Sequence, residues 1–189
     1  MIDFHCVIVA GGKSSRMGED KSLLPFGEFN SLAEFQHNRL SKIFQKVSIS
    51  SKNNKFDFEC EVIEDLKDFD EFSPMVAIYS IFESLKSDAF LISVDTPFVD
   101  EDIIYKLFEN FKSDVSVAKT DRLHPLCGFY KKSIHDKIKE CLKNDIHKLN
   151  FLLKQLKCDV LDFSEDERFL NLNYKDEYEK AKKILMEKR

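Results

Sequence analysis

The sequence lacks an uninterrupted apolar run near 18 residues, and its first residues lack the basic, apolar and small-residue order of a signal peptide. A membrane helix needs about 20 apolar residues, so neither a membrane span nor a secretory leader is expected. Repeats, low-complexity tracts and linkers rich in glycine, proline or serine are also absent. We therefore predict one domain over residues 1–189, long enough to bury a large core.

The cysteines are odd in number, widely spaced and without a Cys-x-x-Cys pair; they stand at positions 6, 60, 127, 141 and 158. This spacing excludes the short-spaced zinc motifs and argues against a disulfide framework. Cys6, Cys60 and Cys127 lie in apolar, strand-like contexts, so we expect them to pack in the core. Cysteine usage therefore favours the reducing cytoplasm.

The formal net charge of −5 argues against a general nucleic-acid-binding surface. Arginine is scarce among the 29 basic residues and occurs only at positions 16, 39, 122, 168 and 189. Where lysine is the usual cation, an arginine indicates a need for its planar, bidentate guanidinium. An acidic chain with a local group of cations suits a small anionic ligand.

Short apolar stretches alternate with segments whose apolar residues recur every three to four positions. We predict strands near 4–10, 47–50, 60–63, 90–94, 115–118, 126–130, 160–163 and 169–172. Helices are predicted near 31–45, from Pro74, after an N-cap at Asp100, around 134–142 and 149–156, and from about 175. This alternation indicates an α/β protein with a mainly parallel sheet. Ligands in such sheets bind beyond the carboxyl ends of strands.

Residues 7–24 combine a buried strand, a glycine turn and several cations. The apolar run 7–10 is followed by Gly11 and Gly12, where the backbone can approach a ligand closely. A Walker A loop would need glycine at Val7, and the spacing from Gly11 to Gly18 does not fit the dinucleotide fingerprint. The exposed amides and the cations predict an anion site, most plausibly for phosphates. The cations are Lys13, Arg16 and Lys21.

The same stretch reads Val9-Ala10-Gly11-Gly12, then Arg16-Met17-Gly18, then Asp20-Lys21 with Leu23-Leu24. At this spacing it resembles the phosphate loop of nucleotidyltransferases that activate sugars, polyols and pterins, and most closely that of the molybdenum cofactor guanylyltransferases. Further matching elements are Glu64-Asp65, Asp95-Thr96-Pro97, His124-Pro125 and Asn171-Leu172-Asn173. The resemblance implies a Rossmann-like three-layer sandwich of the nucleotide-diphospho-sugar transferase type.

The resemblance also implies Mg²⁺-dependent transfer of GMP from GTP to the phosphate of molybdopterin or Mo-molybdopterin, with release of pyrophosphate. It assigns catalytic roles to Lys21, Arg16 and Asp95, with Asp95 as the metal ligand. Mg²⁺ is usually held by one or two carboxylates together with substrate phosphates, which fits a carboxylate at the end of a strand. The implied nucleotide contacts are Val9, Ala10, Gly11, Gly12, Lys13, Lys21, Asp65 and Asp95. The implied acceptor contacts are Arg122, His124, Asn171 and Asn173.

Several alternatives stay open at this point. Asp95 could cap a helix, although Asp100 is better placed for that, and Asp65 could be a loop or capping carboxylate. His124 could be structural, and Asn173 could cap the last helix. The chain could instead be a cytidylyltransferase, a sugar-1-phosphate nucleotidyltransferase, or a non-catalytic nucleotide-binding partner of a molybdoenzyme chaperone. Ser50, Ser73 and Ala77 depart from the family pattern. The last two replace glycines, which bears on base recognition more than on the reaction type.

Overall fold

The computed structural model describes residues 1–11, 18–67, 69 and 73–187. Three of the predicted site residues, Gly12, Lys13 and Arg16, lie outside these ranges. The strands are β1 (Ile2–Val9), β2 (Phe44–Ser51), β3 (Glu61–Glu64), β4 (Ala89–Ser93), β5 (Val115–Lys119), β6 (Leu123–Tyr130) and β7 (Cys158–Asp162). The α-helices are α1 (Leu32–Leu40), α2 (Pro74–Leu85), α3 (Glu101–Glu109), α4 (His135–Lys143), α5 (Leu149–Leu153) and α6 (Lys175–Glu187). Short 3-10 helices cover Lys21–Leu23, Lys132–Ile134 and Glu167–Phe169.

The strands form one sheet in the order β3-β2-β1-β4-β6-β5-β7. β6 pairs antiparallel with both β4 and β5, and the other pairs are parallel. The predicted α/β architecture with a mainly parallel sheet is therefore confirmed. Because β6 runs against its neighbours, its first residues lie at the same edge of the sheet as the carboxyl ends of β1, β3 and β4.

Helices cover both faces of the sheet, as the three-layer prediction requires. Side chains alternate across a strand, so Cys6 and Ile8 point to one face while Val7 and Val9 point to the other. The first face packs against α1, α3 and α6, and the second against α2, α4 and α5. Cys6 and Cys127 are buried as predicted, and Cys60 packs partly buried against the first core. Among the described residues, no helix is both long and apolar enough to cross a membrane.

The predicted helix over 31–45 is too long. Ser31 caps the helix through the amide of Glu34, and the helix ends at Leu40. Ile43 and Phe44 fit the helical spacing but belong to the entry of β2, where the Ile43 carbonyl accepts a hydrogen bond from the amide of Ile2. Apolar periodicity alone could not separate a helix from the strand that follows it after three residues.

Two further predictions are wrong in detail. β6 begins at Leu123 rather than 126, so His124 and Pro125 lie on a strand and not in a loop. The register of β5 and β6 shifts between Val117, which faces Gly128, and Ala118, which faces His124. This bulge lets a proline sit within β6, because Pro125 has no partner in the ladder. The predicted strand at 169–172 is instead the end of a 3-10 helix followed by irregular chain.

Candidate active site

The side chains of Lys21, Asp95 and Asn173 meet at the carboxyl edge of the sheet. Lys21 Nζ donates to Asp95 Oδ2 at 2.7 Å and to Asn173 Oδ1 at 3.1 Å. The Lys21 and Asp95 side chains are only 17% and 15% exposed. All three were predicted as site residues, although they are separated by 74 and 152 positions in the sequence.

Asp95 is held in place by the turn that ends β4. Ser93 Oγ donates to Asp95 Oδ1 at 2.6 Å, and Thr96 Oγ1 donates to the Ser93 carbonyl at 2.9 Å. The Asp95 carbonyl accepts from the amide of Leu172, which ties the segment carrying Asn173 to this turn. Asp100 caps α3 through the amide of Ile103, as predicted, so Asp95 has no capping role there.

Lys21 opens the 3-10 helix Lys21–Leu23. Asp20 caps this helix, because its Oδ1 accepts from the amide of Ser22 at 3.0 Å and from Ser22 Oγ at 2.7 Å. Burial opposes ionisation of Asp20, but hydrogen bonds from Lys55 and Ser22 outweigh it and hold its pKa below the ordinary value. The cap fixes the start of the helix and so the direction in which Lys21 leaves it.

β1 leads into Ala10 and Gly11, two of the residues predicted to contact the nucleotide. The Ala10 amide donates to the Ser50 carbonyl at 2.8 Å, which keeps the chain beside β2 beyond the end of β1. A Cβ at Gly11 would lie 3.8 Å from Asp65 Oδ2, so these two residues are neighbours. Val9 is buried in the second core, and only its backbone is close to the edge of the sheet.

The carboxylate of Asp65 is partly desolvated. Burial raises its pKa, and the neighbouring Ser50 hydroxyl and Lys55 charge oppose the rise. Asp65 Oδ1 and Ser50 Oγ are buried and have no hydrogen-bond partner among the described residues. Buried polar atoms are normally bonded, and the neighbouring Ser50 hydroxyl is the donor on hand for the Asp65 carboxylate among the described residues.

A cleft of about 260 Å³ opens on the other side of Asp95. It is lined by Asp95 together with all four residues predicted to contact the acceptor: Arg122, His124, Asn171 and Asn173. Arg122 is exposed at the rim and directly precedes β6. The bulge in β6 turns the chain at His124 and Pro125 toward the cleft, a use of bulges that is common beside active sites.

His124 is 9% exposed. Its ring packs against that of Phe169, with the ring centroids 4.8 Å apart. Its Nε2 lies 2.8 Å from Thr120 Oγ1. Burial, reinforced by the charge of Arg122, lowers its pKa below the ordinary value, so the imidazole is neutral at pH 7. The structural interpretation of His124 is thus partly correct, yet the residue also lines the cleft.

Asn173 is not used as a side-chain cap for α6 in the contacts observed. Its side-chain oxygen accepts from Lys21, while its backbone amide and that of Tyr174 both donate to Glu177 Oε2, at 2.7 and 2.9 Å. Glu177, in the first turn of α6, therefore satisfies these amides and leaves the Asn173 carboxamide for the site. Asn171 Nδ2 donates to the Phe169 carbonyl at 3.3 Å.

The two residues that replace family glycines are engaged in the structure. Ser73 caps α2 through the amide of Val76, and its Oγ lies 2.9 Å from His147 Nδ1. Ala77 is buried within the second core. These contacts tie the start of α2 to the segment between α4 and α5.

Sequence reasoning missed Ser93, Lys55 and Glu177. Ser93 could have been found from its position two residues before Asp95, where a hydroxyl can reach the carboxylate. Lys55 and Glu177 gave no comparable signal, because one stands in a polar loop and the other in the first turn of a charged helix. Within the described residues, no cluster of three or more histidine, cysteine or acidic side chains could hold a metal.

Comparison with known proteins shows which family this chain resembles. Residues 6–160 match the family model of the MobA-like NTP transferase domain. The chain is 42% identical to the molybdenum cofactor guanylyltransferase of Campylobacter jejuni subsp. doylei, with 97% of each chain covered. It is 35% identical to that of Helicobacter pylori strain G27, with 96% of this chain and 93% of the relative covered. Among solved structures, a molybdopterin-guanine dinucleotide biosynthesis protein A from Archaeoglobus fulgidus superposes with a TM-score of 0.79 at 20% identity, covering 97% and 99%.

Proposed function

The chain belongs to the molybdenum cofactor guanylyltransferase family, with its MobA-like NTP transferase domain, and from that premise we propose that it transfers GMP from GTP to the phosphate of molybdopterin. It is a nucleotidyltransferase of molybdenum cofactor biosynthesis. The observation that carries the proposed mechanism is the contact of Lys21 with both Asp95 and Asn173, between the Asp65 side and the 260 Å³ cleft.

The reaction needs two bound partners in line. An oxygen of the acceptor phosphate attacks the α-phosphorus of GTP, a new P–O bond forms, and the bond to the pyrophosphate oxygen breaks with its electron pair. Phosphoryl transfer of this kind depends on positioning and charge neutralisation more than on a covalent nucleophile. The site is suited to it, because the ammonium of Lys21 is partly buried beside Asp95 and Asn173, two residues that line the cleft.

Lys21 would contact the α-phosphate and stabilise the charge that develops there. Its present partner Asp95 holds the ammonium in a single direction, and Asn173 supports it from the cleft side. Gly11 and Gly12, with Lys13 and Arg16, would bind the β- and γ-phosphates through amides and cations.

Asp65 would accept a hydrogen bond from the nucleoside part of GTP. Its position next to Gly11 and the burial of Oδ1 support this role, since an N–H or O–H donor from the nucleotide would add a partner to the neighbouring Ser50 hydroxyl.

The donor chemistry of Asp95 fits Mg²⁺ that arrives with the nucleotide. A single hard carboxylate, without a cluster of further acidic ligands among the described residues, is the arrangement expected where phosphates supply the other oxygens. When bound, Mg²⁺ neutralises phosphate charge and orients the triphosphate. Asp95 would hold it while Ser93 fixes the other carboxylate oxygen.

The acceptor would bind in the cleft. Arg122 at its rim offers a bidentate guanidinium for the acceptor phosphate, and a neutral His124 offers hydrogen bonding without adding charge. Asn171 and Asn173 supply amides on the opposite side, which suits the polar edge of a pterin.

Calorimetric binding of GTP, CTP, UTP and ATP with and without Mg²⁺ tests the nucleotide side. We expect GTP to bind most tightly, and Asp95→Asn to lose the Mg²⁺-dependent part of the affinity. Asp3→Asn, an exposed carboxylate near the start of β1, is the matched control and should bind as the native protein does. Preference for CTP or UTP, or no pyrophosphate release with GTP and molybdopterin, would refute the proposal.

A further inference from the structure

Lys55 stands in the segment between β2 and β3, where the sequence indicated only a polar loop. Its side chain is 20% exposed, although lysine is normally a solvated surface residue. β2 is the neighbour of β1, so a residue following β2 can reach the chain that follows β1.

The ammonium of Lys55 contacts both flanks of residues 11–19. Its Nζ donates to Asp20 Oδ2 at 2.6 Å and to the Ala10 carbonyl at 3.3 Å. Ala10 directly precedes this stretch and Asp20 directly follows it. One cation therefore joins the two ends of the segment that carries the predicted phosphate-binding residues.

The second oxygen of Asp20 continues the connection. Oδ1 caps the 3-10 helix that starts at Lys21, through the amide and hydroxyl of Ser22. Lys21 in turn reaches Asp95. A displacement of Asp20 would therefore turn the first residue of the helix and move Lys21 Nζ relative to the carboxylate.

We propose that Lys55 is a positioning residue that holds Asp20 against Ala10 and thereby directs Lys21 at Asp95 and the α-phosphate. The inference rests on the proposed function, because it assigns Lys55 a role in the same site. A merely structural surface ion pair is a poorer explanation: such a pair needs one partner, whereas Lys55 uses a carboxylate and a backbone carbonyl on opposite sides of the segment.

The test compares Lys55→Met, Lys55→Arg, Asp20→Asn and the double variant Lys55→Met with Asp20→Asn. Lys46→Met, an exposed lysine near the other end of β2, is the matched control. Pyrophosphate release with GTP, Mg²⁺ and molybdopterin gives kcat and KM, calorimetry gives GTP affinity, and circular dichroism checks folding.

We expect Lys55→Met to lower kcat by about 10- to 100-fold, by analogy with the loss of groups that orient metal ligands, while KM for GTP changes little. Lys55→Arg should restore most of the rate, because a guanidinium can also bridge a carboxylate and a carbonyl. The double variant should lose no more than Lys55→Met, since both changes break the same link.

Full turnover in Lys55→Met would overturn the inference while leaving the proposed function intact. A rise in KM with unchanged kcat would also overturn it, because Lys55 would then bind nucleotide directly. Losses that multiply in the double variant would refute the path through Asp20. A native protein that releases no pyrophosphate would refute the proposed function and this inference with it.

Discussion

Replacing Lys21 with alanine removes the ammonium that Asp95 Oδ2 contacts at 2.7 Å and Asn173 Oδ1 at 3.1 Å. The Asp95 side chain, 15% exposed in the native protein, would then lack this cation. Two effects follow from the geometry. The folded state loses a partly buried ion pair, and the transferring phosphoryl group loses the charge that we assign to its stabilisation.

The cost to stability lies between two limits. Exposed ion pairs contribute about 0–1 kcal/mol, and breaking a fully buried pair costs about 3–5 kcal/mol. With side chains 17% and 15% exposed, we expect about 1–3 kcal/mol. For a chain of this size, each kcal/mol lowers Tm by about 2–4 °C, so we expect Tm to fall by about 2–12 °C.

The cost to catalysis is larger. Removing one preorganised charge from a reacting centre lowers the rate by about 10²- to 10³-fold. Turnover of Lys21→Ala should therefore fall by that factor under conditions where circular dichroism reports a native fold. The measurement is steady-state pyrophosphate release with GTP, Mg²⁺ and molybdopterin, together with thermal unfolding of the same preparations.

The matched control is Lys106→Ala. Lys106 pairs with Asp102 at a similar 2.8 Å, but these side chains are 52% and 51% exposed. We expect little loss of stability and native turnover, since an exposed i,i+4 pair on a helix contributes little. Turnover of Lys21→Ala within about threefold of native would refute the catalytic role, against the 10²-fold minimum expected from losing such a charge.

Two further predictions concern stability. Gly128→Ala places a Cβ 2.3 Å from the Ser116 carbonyl oxygen, and the backbone of a central strand cannot move aside. Urea unfolding should show that the free energy of unfolding falls by about 3 kcal/mol, the upper end for overpacking, and an unchanged midpoint would contradict this. The pKa of His124 should titrate below 6.5 by NMR, because burial disfavours its charged form. As the pH falls past about 6.5, the unfolded chain binds a proton at His124 that the folded chain does not bind, so the free energy of unfolding decreases. This decrease should be steeper in the native protein than in His124→Asn, and an equal pH dependence would refute the assignment.

Features set by neighbours in sequence could be predicted well. Asp100 caps α3 and Pro74 begins α2, because capping and proline preferences depend on residues within one helical turn. Likewise, the continuous apolar run that begins at Val7 correctly predicted a buried strand, β1. The predicted end of helix α1 was wrong for the same reason, because the spacing of the apolar residues at 43 and 44 fits both a helix and a strand.

Features set by sheet order could not be predicted in this way. Nothing near Leu123 signals that β6 runs antiparallel or that a bulge admits Pro125. The motif resemblance pointed to the residue types of the site, but the contact of Lys21 with Asn173 depends on how segments far apart in the chain return to one edge. Lys55 was missed because its partners, Ala10 and Asp20, lie 45 and 35 positions away.

Two lysines of the site are each paired with a carboxylate. Lys55 is balanced by Asp20, and Lys21 by Asp95, so this part of the site is close to neutral before a nucleotide arrives. A triphosphate therefore has to compete with Asp95 for Lys21. Its negative charge must be neutralised by further cations, from the 11–19 segment or bound to the nucleotide itself. If Lys55 and Asp20 only position the chain, the triphosphate does not compete with Asp20 for Lys55. We therefore expect GTP binding to change the environment of Lys21 and to leave that of Lys55 nearly as it is.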